Sequence, residues 1–81
     1  MKDEVIIIDV RSPEEFALGH YKHAINIPLE KLEDKSTLLN QNKKIITVCK
    51  SGVRGEFGKN ILLNLGFNAS NGGSWSNLKL K

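Results

Sequence analysis

Apolar residues fall along the chain in two kinds of run. Val5 to Val10 reads VIIIDV, and Lys44-Ile45-Ile46-Thr47-Val48 has the same β-branched character. Unbroken runs of this kind suit strands buried on both faces of a parallel sheet. Ala24-Ile25-Asn26-Ile27, closed by Pro28, predicts a shorter strand between them. Phe67-Asn68-Ala69 predicts a last one, with Asn71-Gly72-Gly73 as a turn before a tail that carries Trp75. From Gly52 the period changes: Val53, Phe57, Ile61, Leu62 and Leu65 fall at helical spacing, and Gly66 supplies a left-handed stop. Gly55 and Gly58 in the first turns of that helix weaken it by about 1 kcal/mol each relative to alanine, which implies a close backbone approach. A shorter helix starts at Ser12-Pro13-Glu14-Glu15, a capping box with proline at the first helical position, and ends at Gly19. Leu29, Leu32 and Leu38-Leu39 mark one or two further helical turns. Strands alternating with helices give an α/β class, a mainly parallel sheet of four to five strands flanked by helices.

The chain has 81 residues, 40% of them hydrophobic and 26% charged, which predicts one domain over 1–81 and excludes a two-domain enzyme. Val5-Ile6-Ile7-Ile8 falls far short of the roughly twenty apolar residues of a membrane span, so no membrane role is expected. Met1-Lys2-Asp3-Glu4 shows no basic region followed by an apolar stretch, so the expected location is cytoplasmic, or periplasmic if a leader has been removed. The net charge of +3 comes from ten Lys and two Arg with few aromatic residues. That balance argues against nucleic acid and suits a small anionic substrate.

A single cysteine, Cys49, excludes an internal disulfide and a multi-cysteine zinc site. It stands at the C-terminal end of the third strand, where open α/β sheets collect their ligands. The loop that follows, Lys50-Ser51-Gly52-Val53-Arg54, adds a flexible glycine, a helix N-terminus with unpaired N–H groups, and two cations. These features favour a thiolate, and a thiolate is a nucleophile. The bland alternative is an inert cysteine buried at a strand end, and the loop tips the reading toward chemistry. Asp9 ends the first strand near the same edge of the sheet, a position suited to a structural carboxylate. Arg11 either binds the substrate anion or pairs locally with Glu14 or Glu15. His20 and His23 lack further metal ligands nearby in sequence, and Trp75, Phe57 and Phe67 read as core residues.

The chain resembles a single-domain rhodanese, and is especially similar to the short phage-shock-type thiosulfate sulfurtransferases. The resemblance is carried by Asp9-Val10-Arg11 with Ser12-Pro13-Glu14-Glu15-Phe16, by Gly19-His20 with Ala24-Ile25-Asn26-Ile27-Pro28, by Cys49-Lys50-Ser51-Gly52-Val53-Arg54, and by Gly66-Phe67 with Asn71-Gly72-Gly73. It implies a small rhodanese-like domain in which the Cys49 thiolate takes a sulfane sulfur from thiosulfate, or another small anionic donor, and passes it to a thiol or cyanide acceptor. Lys50 to Arg54 would form the anion cradle, Asp9 and Arg11 would support it, His20 would be structural, and no metal or organic cofactor would be needed. The chain has no second cysteine to resolve a persulfide, so an external acceptor is implied.

The nearest rivals are a sulfur-relay or protein-binding module of the same family, and the cell-cycle phosphatases that share this fold. The phosphatases place five residues between Cys and Arg, whereas only four intervene here. Two departures from the family pattern stand out. The strand and helix that precede the Asp-Val-Arg motif in longer rhodaneses are missing, which leaves an edge where a monomer could form a weak dimer or meet a partner. Lys50 and Gly55 also stand where relatives often have arginine and serine or alanine.

Overall fold

The computed structural model describes residues 4–79. Four strands, β1 (Val5–Asp9), β2 (Ile25–Asn26), β3 (Lys44–Cys49) and β4 (Asn68–Ser74), form one parallel sheet in the order β2-β1-β3-β4. The register sets Val5 beside Lys44 and Asp9 beside Val48, so the two β-branched runs form the sheet's centre. Successive side chains point to opposite faces. Ile8, Ile45 and Cys49 face one side with Val10, Leu32 and Leu62, while Ile7, Ile46 and Val48 face the other, covered by Tyr21, Ala24, Trp75 and Leu78.

Helix α1 (Pro13–Ala17) has the expected capping box: Glu15 N–H donates to Ser12 Oγ, and Ser12 N–H donates to Glu15 Oε1, each at 3.2 Å. Past its end, the His20 and Phe16 rings stack at 3.7 Å, with His20 Nδ1 2.8 Å from the Phe16 carbonyl oxygen, a structural contact. The stretch after Pro28 is two 3₁₀ turns, Leu29–Lys31 and Ser36–Leu38, around helix α2 (Leu32–Lys35).

Helix α3 (Val53–Asn64) lies on the Cys49 face; Leu62, with Ile61 and Leu65, packs on the core as its period suggests, but the first half of the stripe, Val53 and Phe57, does not. Its buried residues are Gly55, Gly58 and Leu62, whereas Val53 is 63% and Phe57 60% exposed. The reason is steric. A Cβ at Gly58 would stand 3.2 Å from Val10 Cγ1 and 3.3 Å from Leu32 Cδ2, so the helix is seated through its glycines and rotated away from Phe57. Phe67 is buried and Trp75 half-buried, so of the three aromatic residues expected in the core only Phe57 is misplaced.

The last strand also differs from expectation. β4 runs straight through Asn71-Gly72-Gly73, the segment read as a turn. Thr47 pairs with Asn71 and Val48 with Gly73, so Gly72 is the extra residue of a β-bulge, and Gly73 takes φ +82°. A Cβ at Gly72 would come within 2.7 Å of Ile46 Cγ2, so the glycines permit a bulge against a buried isoleucine.

Candidate active site

β3 delivers Cys49, and the chain turns through Gly52 into α3. Gly52 has φ +102°, a left-handed conformation in which a Cβ is strained, and the turn folds the loop back over the sulfur. Two backbone donors converge on Cys49 Sγ, Gly52 N–H at 2.9 Å and Gly55 N–H at 3.3 Å. Donors aimed at a sulfur stabilise negative charge on it without reorganisation. Cys49 itself is 1% exposed. Thr47 Oγ1 donates to the Gly55 carbonyl oxygen at 2.7 Å and pins the first turn of α3 beneath it.

The expected cradle, Lys50 to Arg54, is divided by the structure. The amide of Gly52 reaches the sulfur, and so does that of Gly55, one residue beyond the expected segment. Lys50, Ser51 and Val53 are exposed on the rim. Arg54 is not a free anion-binding cation: its Nη1 and Nη2 donate to Glu15 Oε1 and Oε2 at 2.7 and 3.0 Å. Glu15 thus closes the cap of α1 and also ties α1 to the thiol loop. The cap motif shows the first role; the second joins residues 39 apart in sequence and needs the folded chain.

That tether has a pH signature. Hydrogen bonds from Arg54, then from the Ser12 backbone, lower the Glu15 carboxyl from 4.5 to about 2. A lowered folded-state pKa means the tether's contribution is complete above pH 4.5 and lost as pH falls toward 2. The Glu15 carboxyl resonance is expected to titrate near pH 2 in the native protein and to move toward 4.5 in Arg54→Leu. An unchanged midpoint in the variant would remove Arg54 as the cause.

Asp9 and Arg11, expected as supporting residues, pair with each other, and Arg11 also lines a cleft that Lys50 borders. Asp9 is fully buried and accepts from the Arg11 backbone N–H at 3.0 Å, from Nε at 2.9 and 3.0 Å, and from Nη2 at 2.7 Å. Arg11 Nη2 also donates to the Gly19 carbonyl oxygen at 2.7 Å, and the guanidinium lies 4.9 Å from the centroid of the Trp75 ring. Arg11 therefore pairs with Asp9 rather than with Glu14 or Glu15, and its buried guanidinium braces the sheet face opposite α3. Asn71, read from the sequence as part of a turn and of the family resemblance but not as a site residue, donates from Nδ2 to the Gly52 carbonyl oxygen at 2.9 Å and to Glu56 Oε1 at 3.2 Å. Lys59 first, and Asn71 second, hold the Glu56 carboxyl below its ordinary value.

Two clefts flank the loop. One of about 240 Å³ is lined by Arg11, Lys50, Glu15, Leu18, Gly19 and Trp75; the other, about 520 Å³, by residues that include Ser51, Val53, Phe57 and Asn71. A third cleft of about 450 Å³, between Pro13, Ile27 and Leu38, includes no residue of the thiol loop.

The family profile for the rhodanese-like domain matches residues 1–79. The chain belongs to the rhodanese-like family. This rhodanese-like chain is 37% identical over 70 residues to a tRNA uridine(34) hydroxylase from Aster yellows witches'-broom phytoplasma, a match covering 79% of the chain and 23% of that protein. It is 36% identical over 61 residues to the putative sulfur carrier protein YrkF of Bacillus subtilis, covering 75% of the chain and 33% of that protein. It therefore spans no more than a third of either curated relative. Among solved structures it matches a rhodanese with anions from E. coli at TM-score 0.87 and 28% identity, over 96% of this chain and 95% of that one. A rhodanese-like domain protein from Staphylococcus aureus matches at TM-score 0.80 and 32% identity, over 99% and 84%. The α/β fold with its parallel sheet is that of the family. No helix among the described residues is long and apolar enough to cross a membrane.

Proposed function

We propose that the chain is a sulfurtransferase that carries a sulfane sulfur on Cys49. The observation that supports this reading best is the pair of amides on Cys49 Sγ, at 2.9 and 3.3 Å. The thiolate attacks the outer sulfur of thiosulfate, the S–S bond breaks, and sulfite leaves with the electron pair. Cys49 is then a persulfide. Cyanide or a thiolate attacks its outer sulfur, and the Cys49 thiolate is restored as the leaving group. Donors that hold the charge at Sγ before and after transfer lower both barriers. Four residues between Cys49 and Arg54 make a loop suited to a single sulfur rather than to a phosphate.

Incubation with thiosulfate is expected to add one sulfur to Cys49, read by mass spectrometry, and cyanide is expected to release it as thiocyanate. Absence of both would end the proposal. With Arg54 held by Glu15, Lys50 is the cation at the mouth that remains to meet a dianion. Lys50→Ala is expected to raise KM for thiosulfate roughly three- to tenfold with little change in stability. An unchanged KM would take Lys50 out of the donor site.

A second reading, relay to a protein acceptor, is favoured by one observation. Leu18, Val53 and Phe57, which are 91%, 63% and 60% exposed, line the two clefts beside the loop, where a small anion gains nothing from apolar surface. Sulfur loading without turnover to small acceptors would support relay over free thiosulfate turnover.

A further inference from the structure

The carboxamide of Asn71 reaches from the β4 bulge to the turn over Cys49, and its orientation is unambiguous. Its Oδ1 accepts from Gly73 N–H at 2.9 Å, a group that can only donate, while Nδ2 faces two acceptors, the Gly52 carbonyl oxygen and Glu56 Oε1. The Gly52 carbonyl oxygen also accepts from Glu56 N–H at 3.0 Å. A peptide unit is planar and trans, so fixing this carbonyl fixes the N–H of Val53 in the opposite direction. It also holds ψ of Gly52, the left-handed residue whose own N–H lies 2.9 Å from the sulfur.

Gly55 bears on the same contact. A Cβ at Gly55 would lie 2.5 Å from Asn71 Oδ1 and 3.4 Å from its Cγ, with Thr47 O next at 3.5 Å. Asn71 occupies the space that any larger residue at position 55 would need, and nothing else there is closer than an ordinary contact. Gly55 is also the second amide on the sulfur.

We infer that Asn71 is a positioning residue for the thiol loop, and that position 55 is glycine in this chain because Asn71 fills its side-chain space. The pair acts as one device. Asn71 keeps the Gly52 turn aimed at the sulfur, and the missing Cβ lets it come close enough to do so. Its part in sulfur transfer rests on the function proposed above; its effect on the thiol does not.

The test uses the full chain and two readouts, the rate of Cys49 alkylation by iodoacetamide and the rate of sulfur loading from thiosulfate. Iodoacetamide needs no sulfur donor, so normal alkylation with no sulfur loading would defeat the sulfurtransferase reading while leaving the brace intact. Asn71→Ala is expected to slow both rates roughly three- to tenfold, the scale of one or two lost hydrogen bonds. Asn71→Asp keeps an acceptor for Gly73 N–H but sets a carboxylate against the Gly52 carbonyl oxygen and Glu56, and is expected to slow them at least as much. Gly55→Ala decides the coupling. A helical glycine replaced by alanine ordinarily raises Tm. Here Gly55→Ala is expected to lower Tm and slow alkylation in the native background, yet to raise Tm and slow nothing further in Asn71→Ala, where the obstruction is gone. A higher Tm for Gly55→Ala in the native background would overturn the inference. So would Asn71→Ala that loses Tm while alkylating at the native rate, the mark of a merely structural contact.

Discussion

Cys49→Ser is expected to take up no sulfur from thiosulfate and to release no thiocyanate, with the fold intact. The two side chains are close in size, and the serine hydroxyl would occupy the same buried position under Gly52 and Gly55. What changes is chemical. An alcohol has no acid dissociation near neutrality, and the carboxylates of Glu15 and Asp9 are engaged, the first by Arg54 and the second by Arg11. Rates for the variant should sit at the background of the buffer, a loss of several orders of magnitude, checked by intact mass and by thiocyanate release. Residual loading at even about a hundredth of the native rate would mean that another group carries sulfur.

Asp9→Ala is expected to be the most damaging change to stability. It removes the acceptor of four hydrogen-bond contacts from Arg11 and leaves a guanidinium with 5% of its side chain exposed without its counter-charge. Removing one partner of a buried pair costs about 3–5 kcal/mol, a large share of the roughly 5–15 kcal/mol that holds a domain together. For a domain of this size the loss corresponds to a fall in Tm on the order of 15–30 °C. The double variant Asp9→Ala/Arg11→Met should recover most of it, because the remaining side chain no longer carries a charge into the interior. Thermal unfolding followed by circular dichroism checks both. A single variant within about 1 kcal/mol of native would show that Arg11 is satisfied by Gly19 and Trp75 alone.

The sequence made β1 and β3 legible because uninterrupted β-branched runs have few other uses in a small α/β chain, and Cys49 followed from where β3 stops. The extent of α3 was legible from its period and from Gly66. Its orientation was legible only in part, since Ile61, Leu62 and Leu65 pack on the core but Val53 and Phe57 do not. Hydrophobic periodicity reports which face could be buried, whereas Gly55 and Gly58 admit a closer approach to the sheet and win over Phe57. Asn71-Gly72-Gly73 has the composition of a turn, and only the pairing of β3 with β4 shows it to be a bulged strand. Among the charges, composition supplied the cations but not their partners. Arg54 and Arg11, both candidates for an anion, are each occupied by a carboxylate that the fold brings to them. Lys50 is left exposed at the mouth, and Gly55, Glu15 and Asn71 join the site through contacts across the fold.

The groups that define the sulfur's surroundings come from Glu15 on the first helix, from the loop between Cys49 and Gly55, and from Asn71 on the last strand. A growing chain that ends shortly after Cys49 has the thiol but neither the helix that covers it nor the strand that braces the turn. The sulfur's surroundings therefore belong to the whole fold, since they are complete only when β4 has joined the sheet beside β3. An unfolded copy keeps an accessible thiol with the reactivity of any free cysteine, but it lacks the two amides aimed at the sulfur, so what misfolding removes is the site and not the thiol.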